Sequence, residues 1–178
     1  MKSLMIIQKT WKVFKTLSMI AMVVSFIAAG TALLGLLCVI EWQSEGMLGF
    51  GRHFMQFTKS VSLESAICIL LSDAVFALTS GILNFFAWDY FKLEQAEGTP
   101  FTYRGADKIR SLGIKTIVMP IVATIISAVI YSCFDLTNAF TRDNAANIVL
   151  GIALILASLV FRYGADLQIS KSAVSTER

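Results

Sequence analysis

Residues 17–40 read LSMIAMVVSFIAAGTALLGLLCVI, an apolar run without one charged side chain. A hydrocarbon core of about 30 Å is crossed by roughly 20 helical residues, so this run alone can span a bilayer. Three more runs follow it, at 66–91, 112–134 and 147–163. The last is short but free of charge until Arg162. The reading is an all-α membrane protein whose four transmembrane helices form an antiparallel bundle.

Composition agrees. Of the 178 residues, 56% are hydrophobic and 15% charged, against about 25% charged in soluble domains. Little remains outside the spans, so the chain divides into an N-terminal segment 1–16, one membrane domain 17–167 and a flexible tail 168–178. A net charge of +3 is too small to point to nucleic acid, and no direct nucleic-acid contact is expected. The N-terminus has the basic start of a secretory signal, but its apolar run continues well past the 7–15 residues of a signal core. An uncleaved first span is expected.

Positive residues gather beside membrane ends. Lys2, Lys9, Lys12 and Lys15 precede the first span, Lys92, Arg104, Lys108 and Arg110 follow the second, and Arg162, Lys171 and Arg178 lie at the end. The other two loops hold Arg52, Lys59 and Arg142. Lys and Arg are retained in cytoplasmic loops, so eleven against three places both termini and the central loop inside.

Short amphipathic helices are expected at three places. Leu4, Ile7, Trp11 and Phe14 recur at helical spacing, with Lys9, Lys12 and Lys15 off that face. This fits either a helix lying on the inner membrane surface or the inner start of the first span. Met47, Phe50, Phe54, Phe57 and Val61 mark a similar face in the outer loop. In the central loop Gly98 and Pro100 break the chain, and Thr102 to Gly105 restart a helix with Ile109 and Leu112 toward apolar surroundings.

Inside the spans, small residues mark helix contacts, because close backbone approach replaces the hydrophobic effect in lipid. Ser18, Ala21, Ser25, Ala28, Ala32 and Gly35 form such a stripe in the first span, and Gly113, Thr116, Pro120, Ala123 and Ser127 form one in the third. Pro120 removes a helix hydrogen bond and predicts a kink.

Asp73 is the sharpest single residue. An ionised carboxylate in hydrocarbon costs roughly 2.5–3.5 kcal/mol even on insertion scales, so it is expected to face other helices. Asp73, Ala77, Ser80, Asn84 and Phe91 share one face of the second span. This polar stripe reads either as an interhelical strut or as a relay or polar pocket. Cys38, Cys68 and Cys133 all fall near outer span ends. Apolar filler, a disulfide between two of them, or a soft metal site with His53 are the readings open to them. At the inner ends, Trp88, Asp89, Tyr90, Arg162 and Tyr163 read as interfacial anchors, with Asp89 able to pair with Arg162 or Lys115. No catalytic constellation, phosphate loop or metal motif occurs, so neither enzyme activity nor a cofactor is expected.

Two segments carry a family pattern. The first runs Gly98, Pro100, Phe101, then Ile109, Arg110, Gly113; the second is Phe161, Arg162, Gly164, Leu167. The chain thereby resembles the bacterial membrane family DUF2975, whose members show G-x-P-F, a basic L-R-x-x-G and F-R-x-G-x-x-L. The resemblance covers the second span to Leu167; the N-terminal third agrees only in hydropathy. Members commonly finish in an acidic stretch, where this chain has Ile169, Ser170 and Lys171. The resemblance implies a four-helix protein of the bacterial inner membrane. It also implies a regulatory partner, since relatives are often encoded beside small helix-turn-helix regulators.

The functional expectation is a non-enzymatic sensor or scaffold in the lipid bilayer that binds a cytoplasmic protein through Arg104, Lys108, Arg110 and Arg162. The second reading is a transporter or channel subunit using Asp73 in a homo-oligomer, and the third an immunity-type protein acting through the outer loop.

Overall fold

The structure is a computed structural model. It describes residues 2–43, 62–99, 101–136 and 143–176, with side chains for 9–40, 62–99, 101–136 and 143–170. Four long helices hold almost all of them: α1 Lys2–Gln43, α2 Leu63–Glu97, α3 Tyr103–Cys133 and α4 Ala145–Thr176. No strand occurs among the described residues. Each helix is long and apolar enough to cross a membrane.

Every helix outruns its apolar run. α1 is one continuous helix of 42 residues, so the N-terminal segment runs into the first span without a break. α3 likewise takes in the amphipathic stretch of the central connector from Tyr103 onward. α4 continues to Thr176, through the segment expected to be a flexible tail. Hydropathy marks where lipid ends, not where the helix ends. Residues such as Leu, Gln, Lys, Ala and Glu keep good helix propensity in water, and α2 meets no glycine or proline after Gly81 until Gly98. The expected outer-loop helix falls outside the described residues.

The ends are set by local chemistry. Thr102 caps α3: its hydroxyl accepts from the Gly105 N–H at 2.9 Å, satisfying one of the orphan donors of the first turn. Ser62 does the same for α2, accepting from Ser65 at 3.3 Å. α2 stops at Gly98, which takes a φ of 72° while its N–H reaches the Glu94 carbonyl at 3.0 Å. That is the left-handed glycine stop.

α3 ends in a Schellman turn. The Leu136 N–H bonds the Tyr131 carbonyl at 3.0 Å and the Asp135 N–H bonds the Ser132 carbonyl at 3.3 Å. The left-handed position is occupied by Asp135, at φ 56°. A non-glycine residue there costs roughly 1–2 kcal/mol, less for Asp with its short polar side chain. Asp135→Gly is therefore expected to raise unfolding stability by about 1 kcal/mol, measured by denaturant titration in detergent. A loss of stability would mean the Asp135 side chain contributes more than its backbone costs.

By contacts the chain forms two compact units. One comprises Met1–Met22, Ile82–Met119 and Asn144–Arg178; the other comprises Val23–Gly81 and Pro120–Asp143. The first has a core of Tyr90, Ile109 and Leu112, with Phe86, Ala87, Phe91, Leu154, Ala157 and Phe161 packed around it. Phe14 of α1 stacks on Phe91 with centroids 5.5 Å apart, and Trp11 is buried. In the same unit α3 and α4 approach at Gly113 and Gly151, where a methyl group on Gly113 would lie 2.8 Å from the Gly151 carbonyl oxygen.

In the second unit Ala29, Val39, Cys68, Ala74, Ala123 and Ser127 are buried. Phe26 packs against Gly81, 3.1 Å from where a Cβ would stand. α3 crosses from one unit to the other at Pro120, and Thr124 returns a hydroxyl bond to the Pro120 carbonyl at 2.8 Å. All five small residues expected to face helices in α3 are buried. The α1 stripe is only partly so: Ala32 and Gly35 are buried, but Ala28 is exposed and Ala29 takes the buried place beside it.

Large apolar side chains point outward. Val149, Leu156, Leu159 and Val160 of α4 are each more than half exposed. Patches of this extent do not persist against water in soluble monomers; lipid is their natural solvent.

Candidate functional site

Two arrangements hold polar groups that packing alone does not need, one in each unit.

In the first unit the connector between α2 and α3 is held down on α4. Phe101 stands edge-on to Phe161, centroids 5.9 Å apart at 90°. Gly164 lies directly beneath it; a Cβ there would collide with the Phe101 ring. Next to it the Tyr103 hydroxyl donates to Asp166, and the Thr102 hydroxyl donates to Glu97. The separated segments that resemble a family pattern thus meet in space. Phe101, Phe161 and Gly164 form one contact, and Gly113 another against Gly151. Ile109 is core, whereas Arg110 and Leu167 are exposed.

The charges distribute unevenly around this junction. Arg104, Arg110 and Arg162 are exposed. Arg162 lies within electrostatic reach of Tyr103, which brings it to the α3 start beside Arg104. Lys108 differs from these: its ammonium bonds the Asp89 carboxylate at 2.5 Å. Asp89 was expected to take Arg162 or Lys115, but one turn of α3 sets Lys108 opposite it. Lys115 instead lies over the Phe86 ring, 3.4 Å from the centroid, a cation–π contact. Tyr90, expected as an interfacial anchor, is 5% exposed and belongs to the core. Tyr163, at 65% exposed, keeps the anchor position. A notch of about 420 Å³ opens beside Phe101, Tyr103 and Gln168.

Glu94 is the residue that sequence reasoning missed. Its side chain is completely buried; neither carboxyl oxygen makes a well-formed hydrogen bond among the described residues, and the Tyr90 hydroxyl one turn back is the donor close enough to interact with it. Its titratable neighbours, Tyr90 and Glu97, lie on the same helix. The signal was available: continuing the polar face from Asn84 through Ala87 and Phe91 by three residues lands on Glu94. The polar stripe is followed only to Phe91, where the apolar run ends, although the break expected at Gly98 leaves one more turn of helix for it.

In the second unit Asp73 lies on the wall of an open groove of about 610 Å³ between α1 and α2. Ser25, Ala28, Thr31 and Ala32 line one side, and Leu70, Phe76, Ala77 and Ser80 stand with Asp73 on the other. Asp73 was expected to face other helices; it stands opposite α1 across this groove, exposed there and within electrostatic reach of Tyr131 of α3. The α1 small-residue stripe explains this, because alanines and serine leave space where bulkier side chains would close the gap. Of the predicted polar stripe, Asp73, Ala77 and Ser80 line the groove, while Asn84 belongs to the other unit.

Cys38, Cys68 and Cys133 stand as free thiols, with Cys133 within electrostatic reach of Cys68. Cys68 is fully buried and fills space between helices. No group of three metal-ligating side chains occurs among the described residues.

An all-helical chain with four membrane-length apolar helices, one buried carboxyl and one groove-lining carboxyl defines the class as a membrane protein. Compared with known families, curated proteins and solved structures, the chain matches none.

Proposed function

We propose that this chain is a non-enzymatic, multi-pass protein of a bacterial inner membrane that serves as a docking platform for a cytoplasmic protein. Its helices cross in alternating directions, with both termini and the α2–α3 connector in the cytoplasm. The observation that carries this reading is the pinned connector. Phe101 and Tyr103 are fastened to α4 while Arg104, Arg110 and Arg162 stay exposed around them. A rigid, basic surface with an adjoining notch suits an acidic partner, and such a surface is preorganised, so little ordering entropy opposes binding. Lys108, engaged by Asp89, contributes to the fold more than to the surface.

The test is affinity purification of the tagged chain from its own host, with cross-linking before extraction. One co-purifying cytoplasmic protein is expected, and the triple variant Arg104→Ala, Arg110→Ala, Arg162→Ala should lower its recovery about tenfold or more. Unchanged recovery, or labelling of a Thr102→Cys variant by an impermeant reagent from outside intact cells, would overturn the reading. The earlier association with helix-turn-helix regulators makes a DNA-binding protein one candidate for the recovered partner.

A further inference from the structure

We propose that the Asp73 groove of the second unit binds a lipophilic cation, a molecule with one positive charge carried on an apolar body. The inference does not depend on the docking surface of the first unit.

Asp73 stands three helical turns in from the start of α2 at Leu63, roughly 15 Å along the helix axis. It lies within a span that is otherwise apolar on both sides of it. An acidic side chain at such a place normally meets a basic group, a donor network or water-filled space. Here no salt bridge involves it among the described residues, and its titratable neighbour is Tyr131 of α3. Its side chain opens instead into a groove of about 610 Å³. That volume falls within the range of small-molecule sites, about 300–1,000 Å³.

The walls fix the ligand class. Ala28 and Ala77 give short apolar sides, Phe76 adds an aromatic ring, and Ser25 and Thr31 supply hydroxyls. One acidic group in a mainly apolar cleft is the pattern of sites in which a few polar groups orient a ligand and burial supplies affinity. An anion is opposed by Asp73, and a hydrated metal ion would find a single carboxyl group and apolar walls. A cation soluble in lipid satisfies both features, and it reaches the groove from the bilayer. The Thr31 hydroxyl donates to the Ala28 carbonyl at 2.9 Å.

The experiment uses the full chain in phosphatidylcholine nanodiscs, whose lipids carry no net charge. The probe is radiolabelled tetraphenylphosphonium, read by proximity counting against empty discs. Saturable binding is expected, with tetraphenylborate, an anion of the same shape, unable to compete. Asp73→Asn preserves size and should weaken binding roughly tenfold or more, whereas Asp73→Glu should retain it. Ala28→Leu, which fills the groove, should also abolish it. If that variant fails to fold, the Asn and Glu pair still decides. The proposal is overturned if native discs show no saturable binding, if Asp73→Asn binds as the native chain does, or if tetraphenylborate competes equally. It is also overturned if a Thr31→Cys variant forms disulfide-linked dimers in high yield, which would assign the groove to a second copy.

Discussion

Gly151→Leu is expected to destabilise the first unit by about 3 kcal/mol, the upper end of what overpacking usually costs. A Cβ on Gly151 would stand 2.7 Å from the Gly113 carbonyl oxygen and still closer to the Ile117 side chain. Side chains can rotate away; a helix backbone cannot. α3 and α4 would have to separate, and with them the contacts of Leu154, Ala157 and Phe161 with Ile109 and Leu112. Helicity should survive, because each helix bonds its own backbone in lipid. The loss would therefore be seen in denaturant titrations that follow tertiary contacts. Gly30→Leu is the control: no atom lies within 4 Å of a Cβ there, and its stability should stay within about 0.5 kcal/mol of native. Equal effects at the two glycines would refute a close α3–α4 approach.

Glu94→Leu should do the opposite and stabilise the same unit, by about 1–3 kcal/mol. That is the range measured for a polar group buried without a hydrogen bond. Glu94 is completely buried and neither oxygen makes a well-formed hydrogen bond among the described residues, the Tyr90 hydroxyl being the donor near it, so a leucine of similar length gives up little and removes a largely unmet demand. Glu94→Gln keeps an unbonded polar head and should change little. The same titration measures all three chains. A clear loss of stability in the leucine variant would reveal a partner for the carboxyl, such as a bound water or cation. Buried polar groups kept at such a cost are often functional, which gives the native glutamate a reason to be tested in the partner assay as well.

Much of this architecture is legible in the letters alone. Four apolar runs of membrane length lead directly to four helices, because lipid leaves backbone groups no other solution. The α3 face of Gly113, Thr116, Pro120, Ala123 and Ser127 is read correctly, since small residues at three- and four-residue steps have one use between helices. What the letters hide is whatever depends on a neighbour's position. Lys108 rather than Arg162 meets Asp89, a matter of how α2 and α3 are set against each other. Asp73 faces α1 across an open groove and is exposed there, because the small stripe opposite it opens a gap instead of closing one. The tail is hidden too: residues 168–176, expected to be flexible, continue α4, since hydropathy falls before helicity does.

The seat of Phe101 on Gly164 has a consequence for the order in which the protein is made. A ribosome delivers residue 101 long before residue 164, so the connector is born without its anchor. The first two helices and the loop after them must wait, with the Phe101 ring uncovered, until α4 has emerged. Maturation of this corner is thus tied to the synthesis of α4, and a nascent chain halted before it would carry an unformed one.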